Sequence, residues 1–176
     1  TIANFLGYGI ITYMVGWVSI AGHENLNSSS VLAPFIASLC PGFANAAVYL
    51  TTTIADREGD KSTGKNTFCV VFGERATAIT AFVFCLLSFL FSFSLPFNKW
   101  VMIVPAFISS LLFGMLVFSL NRENAFKSFK WPVFLLSVFV ALFVPLYGLL
   151  IMLTYFGSKF YYKKRFNIDY PSFKAQ

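Results

Sequence analysis

Apolar residues in this chain are grouped into five long stretches with short polar segments between them: 2–22, 31–54, 76–95, 100–120 and 131–156. A helix needs roughly 20 apolar residues to cross a hydrocarbon core of about 30 Å. Each stretch reaches about that length, so the pattern predicts five membrane-spanning helices. In the first stretch, Gly7, Gly9 and Gly16 are expected at close helix contacts, because small residues let membrane helices approach each other.

The composition excludes a soluble globular protein, since 57% of the residues are hydrophobic, 19% are aromatic and only 11% are charged. So few polar side chains cannot cover a surface that faces water. We therefore predict an all-α polytopic transmembrane bundle over residues 1–156. Its surroundings are the lipid bilayer, and no nucleic acid is expected as a partner.

Basic residues are unevenly shared between the two sides of the predicted bundle. Only Lys99 lies in the connections on one side, whereas the segments after the second and fourth spans hold seven basic residues: Arg57, Lys61, Lys65, Arg75, Arg122, Lys127 and Lys130. Because short cytoplasmic loops are enriched in Lys and Arg, segment 55–75 is predicted to be cytoplasmic. The basic residues of the tail, 157–176, oppose this assignment. They alternate with Phe and Tyr, so we expect an interfacial segment there.

Three of the seven acidic residues, Asp56, Glu58 and Asp60, lie within five positions at the start of segment 55–75. Carboxylates at the edge of a membrane segment are costly unless something compensates their charge. Side chains four residues apart on a helix share one face, and Mg²⁺ usually takes one or two carboxylates completed by water and phosphate oxygens. We therefore predict that Asp56 and Asp60 bind Mg²⁺. Ion pairs with Arg57 or Lys61 are the alternative explanation for these acids.

Polar and basic side chains extend this candidate site in two directions. Arg57, Lys61 and Lys65 would place positive charge beside the metal, which suits a diphosphate leaving group. Asn45 and Tyr49 precede Asp56 on the same predicted helix face, so they are candidate substrate-binding residues. Hydrogen bonds between helices are the alternative role for these two residues.

The run from Thr51 to Thr67, continuing to Gly73, resembles the second aspartate-rich motif of UbiA-type intramembrane prenyltransferases. Its pattern is D-x-x-x-D-x-x-x-G-x-x-T, with Asp56, Asp60, Gly64 and Thr67 at the defined positions. Members of that family have nine transmembrane helices around a cavity that opens to lipid, and this motif lies between helices six and seven. The resemblance implies that the five predicted spans correspond to helices five to nine.

The resemblance also implies a reaction. A polyprenyl group would move from its diphosphate to an aromatic or lipid acceptor, with Mg²⁺ as the cofactor. Asp56 and Asp60 would be the catalytic metal-binding acids, and Lys61 or Lys65 would contact the diphosphate. Some of the 23 Phe residues would line the prenyl groove, whereas most of them would face lipid or the core.

One feature departs from the family pattern, because no Asp precedes Asp56, although the family uses a first aspartate-rich motif as well. We expect the 176 residues to be the C-terminal part of a longer protein; the alternative is a degenerate relative that no longer catalyses transfer. On this hypothesis an N-terminal half is a further partner, and the isolated chain is inactive in prenyl transfer.

Two hypotheses from other classes compete with an enzyme. A small membrane transport or channel subunit would use the acidic cluster as a cation-binding vestibule, and a structural subunit would not need Asp56 and Asp60. Ion paths generally need polar groups through the full membrane depth. Acidic and basic side chains are absent from the cores of the predicted spans, and this favours an enzyme site at one membrane face.

Overall fold

The computed structural model describes residues 1–21, 28–96 and 98–170, and every regular element in these ranges is a helix. The prediction of an all-α bundle is therefore confirmed. The elements in chain order are α1 (Asn4–Ala21), α2 (Ser28–Ala55), α3 (Arg57–Ser62), α4 (Phe68–Ser92), α5 (Trp100–Ser119), α6 (Arg122–Phe143) and α7 (Pro145–Phe166). The first part of α1, Asn4–Ile11, is wound as a π-helix.

Five of these helices, α1, α2, α4, α5 and α6, are long and apolar enough to cross a membrane. Many of their large apolar side chains are exposed, and Phe118 is 92% exposed. Apolar surface of this kind is stable against lipid and unfavourable against water. The chain is a multi-pass membrane protein.

Helix α2 is the centre of the bundle, since it packs against α1, α4 and α6. Its contact with α1 depends on two glycines: a Cβ added to Gly9 would lie 2.2 Å from the Cα of Gly42. Any larger residue at position 9 would push the helices apart. Among the three glycines predicted at close contacts, Gly9 has this role, whereas a Cβ at Gly7 or Gly16 would meet nothing within 4 Å.

Two clusters of buried side chains hold the helices together. One lies in the middle of the bundle and consists of Ala47, Leu50, Ala81, Cys85 and Phe113. The other lies nearer the end of α2 and joins α2, α4, α5 and α6 through Ile54, Cys69, Ala78, Leu116 and Ala125. Three residues of this second cluster, Cys69, Ala78 and Ala125, are small, and small side chains let the four helices approach closely beside segment 55–75.

Buried hydroxyl groups link the same helices by hydrogen bonds. Ser88 of α4 donates its Oγ hydrogen to the carbonyl oxygen of Cys40 in α2 at 2.9 Å. Ser128 of α6 donates to the carbonyl oxygen of Leu112 in α5 at 3.3 Å. Such bonds satisfy polar groups inside the membrane, where no water is available as a hydrogen-bond partner.

Helix α4 begins earlier than the predicted third span, 76–95, because it already starts at Phe68. A break interrupts it at Gly73, where φ is 83° and ψ is 166°. Only glycine adopts these angles at little cost. The regular apolar part of α4 thus follows the break, close to where the apolar pattern placed it.

The fifth predicted span, 131–156, differs from the structure at both ends. Helix α6 starts at Arg122, because Asn121 caps it by accepting a hydrogen bond from the backbone N–H of Asn124 at 2.7 Å. It ends at Phe143, where Val144 takes φ −128° and ψ 82°. A residue before proline is disfavoured in the α region, so Pro145 starts a separate helix.

That separate helix, α7, also replaces part of the predicted tail, since it continues to Phe166. It has no buried residue, and its first half exposes apolar side chains such as Leu146, which is 74% exposed. Its second half carries Lys159, Lys163, Lys164 and Arg165. The interfacial placement of the tail stays a prediction, and residues 171–176 lie outside the described ranges.

Candidate functional site

A polar cavity of about 650 Å³ lies where α2 ends and α6 begins. Four acidic and three basic side chains are among the residues that line it: Asp56, Glu58, Asp60 and Glu74, and Arg57, Lys65 and Arg122. Such a density of charge contrasts with the 11% of charged residues in the whole chain. The cavity is therefore the site where the charged residues of separate helices meet.

Asp56 and Asp60, two aspartates that line the cavity, lie one helical turn apart. Helix α2 ends at Ala55, and Asp56 stays close to helical geometry with φ −96° and ψ 4°. The backbone N–H of Asp60 donates to the carbonyl oxygen of Asp56 at 2.9 Å, so the turn continues into α3. Both aspartates line the cavity, as their spacing of four predicts. Their role as metal ligands stays a prediction.

The end of α3 folds Lys65 back towards Asp60. Gly64 adopts φ 71°, and the backbone N–H of Lys65 donates to the carbonyl oxygen of Asp60 at 2.9 Å, while Gly64 donates to Lys61 at 3.3 Å. These two bonds form a Schellman motif, in which glycine supplies the left-handed residue. The Nζ of Lys65 consequently lies 3.7 Å from Oδ1 of Asp60. Because the Asp60 side chain is only 13% exposed, Lys65 is the group that compensates its charge.

A second ion pair joins α3 to α4. The Nη1 of Arg57 donates to Oε1 of Glu74 at 2.8 Å, and both side chains are partly exposed. The break at Gly73 sets the position of Glu74 relative to the segment before it. Sequence reasoning missed Glu74, although it directly follows the glycine that closes the motif.

Three residues predicted for substrate binding lie away from this cavity. Lys61 is exposed on α3 and is not among the lining residues. Asn45 lines a separate apolar cavity of about 130 Å³ inside the bundle, and its Nδ2 donates to the carbonyl oxygen of Pro41 at 2.9 Å. Tyr49 is half-buried in α2. Asn45 makes a contact with α1 as well, donating to the Tyr8 carbonyl at 3.5 Å, which matches the alternative role of joining helices.

The carboxylates of Asp56 and Asp60 could supply some, but not all, of the ligands that Mg²⁺ needs. Within residues 1–21, 28–96 and 98–170, no three side chains of His, Cys, Asp or Glu come together as a metal-binding group. Mg²⁺ commonly binds through one or two carboxylates and takes its other ligands from water and substrate phosphate. The carboxylates of Asp56 and Asp60 fit this incomplete kind of site.

Comparison with protein-family models identified the family of the chain. The model of the UbiA prenyltransferase family matches residues 1–139, which include the whole of segment 55–75. No curated protein and no solved structure matched the chain. Helix α7 lies beyond the matched residues.

Proposed function

This chain belongs to the UbiA prenyltransferase family, and from that premise we propose that its polar cavity binds the diphosphate of a polyprenyl donor together with Mg²⁺. Family membership supports a prenyltransferase-type function in general. The observation that carries the more specific proposal is the convergence of Asp56 and Asp60 with Arg57 and Lys65 in one cavity.

Each of these residues has a defined part in the proposal. Asp56 and Asp60 hold the cation, which when bound neutralises the negative charge that grows on a departing diphosphate. Arg57 and Lys65 bind phosphate oxygens through charge-assisted hydrogen bonds. Lys65 lies 3.7 Å from Oδ1 of Asp60, so it is close enough to this carboxylate to contact both the acid and a phosphate bound beside it.

The reaction proposed for the family site is a prenyl transfer to an aromatic or lipid acceptor. The carbon–oxygen bond of the allylic diphosphate breaks, the acceptor forms a bond to the same carbon and loses a proton, and diphosphate leaves. An allylic fragment with carbocation character is stabilised by the faces of aromatic rings. Residues 1–55 contain no Asp, and we propose that the chain on its own binds the donor without transferring it.

We further propose that the cavity faces the cytoplasm. Seven basic residues lie in the two segments on the cavity side of the bundle, against Lys99 in the connections on the other side; this count leaves out the basic tail, which we place at the interface. Short cytoplasmic segments carry this excess.

The test is binding of farnesyl thiodiphosphate, a slowly reacting donor analogue, to the chain in lipid nanodiscs with and without Mg²⁺. We expect binding that requires Mg²⁺ and is weakened at least about a hundredfold by Asp56→Asn or Asp60→Asn, because each substitution removes a metal ligand. Asp169→Asn is the matched control, since the side chain of Asp169 is 70% exposed and lies at the end of the chain.

Equal binding by all four proteins, or binding that ignores Mg²⁺, would refute the proposed donor site. Saturable Mg²⁺ binding without any affinity for the analogue would instead favour the cation vestibule of a transport protein.

A further inference from the structure

Arg122 reaches the cavity from α6, which is remote in sequence from the motif that supplies the other basic residues. It lies at the start of α6 and is exposed. In sequence analysis it counted only towards membrane orientation. Arg122 lies outside the aspartate-rich motif, and the packing of the helices brings it to the cavity.

The turn between α5 and α6 fixes this position. Leu120 takes the left-handed conformation, with φ 45° and ψ 32°, and Asn121 then caps α6. One turn further on, Ala125 is completely buried in the cluster that contains Ile54 and Leu116. Residues three apart lie on the same face of a helix. The packing of Ala125 therefore holds Arg122 over the end of α2.

Arg122 differs from Arg57 and Lys65, the other two basic residues of the cavity, in its ion pairing. Arg57 is paired with Glu74 at 2.8 Å, and Lys65 is paired with Asp60 at 3.7 Å. In the described part of the chain, Arg122 makes no ion pair within 4.0 Å; the contact seen for it is the ring of Phe126, 5.6 Å from its Cζ. An anion can bind Arg122 without breaking an existing ion pair.

We propose that Arg122 is a diphosphate-binding residue, and this inference rests on the proposed function of the cavity. A guanidinium group presents a planar fork of donors that matches two phosphate oxygens, and contact of its face with an aromatic ring leaves those edges free. Binding would join the start of α6 to α3 through the ligand. The diphosphate would thus be held from two sides of the cavity.

The test compares wild type with Arg122→Gln and Arg122→Lys in nanodiscs, using two probes. The first probe is farnesyl thiodiphosphate with Mg²⁺, and the second is Mn²⁺ alone, followed by electron paramagnetic resonance. Arg122→Gln should weaken analogue binding about tenfold or more, the loss of a charged hydrogen-bond partner. It should leave Mn²⁺ binding unchanged or tighter, because a positive charge near the carboxylates is gone.

The opposite response of the two probes separates binding from structure. Loss of both affinities in Arg122→Gln would assign Arg122 a structural role and overturn the inference, as would unchanged analogue binding. Arg122→Lys should fall between wild type and Arg122→Gln, because it keeps the charge but loses the fork. Lys127→Gln is the control on the same helix, since its Nζ pairs with Glu123 at 2.7 Å and Lys127 is not among the cavity-lining residues.

Failure of the proposed function gives a different result. In that case wild type itself shows no Mg²⁺-dependent analogue binding, or Asp60→Asn binds as tightly as wild type. Loss of binding in Asp60→Asn with full binding in Arg122→Gln would overturn only the role of Arg122.

Discussion

Two regions of the molecule concentrate basic side chains, the cavity at the end of α2 and the last turns of α7. In the cavity, Arg57 and Lys65 each face a carboxylate, at 2.8 and 3.7 Å. On α7, Lys164 and Arg165 lie over the rings of Phe160 and Phe166, at 5.7 and 5.5 Å from the ring centres. Similar charge thus occurs in a concave acidic site and on an exposed aromatic helix.

This difference decides what each region can bind. A cation site needs carboxylates, and a diphosphate needs both a cation and basic side chains around it. The cavity supplies the carboxylates and the basic side chains. Basic residues that alternate with aromatic ones on an exposed helix suit the boundary between lipid and water. Positive charge by itself therefore does not distinguish the proposed substrate site from the exposed helix.

The largest expected effect is on analogue binding, when the charged side chains of the cavity and of α7 are replaced in separate variants. The double variant Asp56→Asn, Asp60→Asn should lose Mg²⁺-dependent binding of farnesyl thiodiphosphate by more than about a hundredfold, because both proposed metal ligands are gone. The triple variant Lys163→Gln, Lys164→Gln, Arg165→Gln should bind the analogue as wild type does. Equilibrium binding in nanodiscs measures both. A comparable loss in the triple variant would show that the tail belongs to the donor site.

The sequence predicted the parts of this cavity that depend on local periodicity. The apolar stretches predicted the number of apolar helices, although the fifth stretch covers parts of both α6 and α7. Asp56 and Asp60 share a cavity because four residues make about one helical turn. Glu74 and Arg122 could not be found in this way, since a break at Gly73 and the burial of Ala125 bring them in. Their positions are set by packing between helices, which a one-dimensional pattern does not contain.

The fifth span was mispredicted for a related reason. Residues 131–156 are apolar nearly throughout, and hydropathy does not register the change of direction at Val144. There the Cβ that alanine would add at Gly148 lies 3.0 Å from the Cβ of Ala141, whereas residues seven apart in a straight helix are separated by about 10.5 Å along the axis. The chain therefore bends sharply between α6 and α7.

Glycine substitution should produce the next largest effect and again separates the two regions. Gly73→Ala should destabilise the protein by about 1–3 kcal/mol, because alanine is strained at φ 83° and ψ 166°. Gly157→Ala in α7 should be stabilising by about 0.5–1 kcal/mol, because an added Cβ meets nothing within 4 Å and helical alanine is favoured. Reversible unfolding in mixed detergent measures both values. Equal stability of Gly73→Ala and wild type would mean that the break is not required.

Lipid selectivity should respond to the tail and not to the cavity. The triple variant of Lys163, Lys164 and Arg165 should retain less spin-labelled phosphatidylglycerol relative to phosphatidylcholine, by roughly 1 kcal/mol for each basic side chain that lies near the headgroups. The double aspartate variant should retain as much as wild type. If the triple variant keeps its full preference for the anionic lipid, the interfacial placement of α7 is wrong.

The smallest effect is expected from the ion pair between Arg57 and Glu74. Glu74→Gln should lower the free energy of unfolding by less than about 1 kcal/mol, because the side chains are 42% and 36% exposed and water screens their attraction. Its effect on ligand binding has the opposite direction. Arg57 loses its carboxylate partner, so in the presence of Mg²⁺ the affinity for farnesyl thiodiphosphate should rise.

Asp169→Asn, which breaks the pair with Lys159 in α7, should change stability even less and leave analogue affinity unaltered, because that pair is longer, at 3.7 Å, and lies outside the cavity. Parallel unfolding and binding measurements on the two variants check this, and a loss of analogue affinity in Glu74→Gln would mean that the pair with Glu74 holds Arg57 in its binding position.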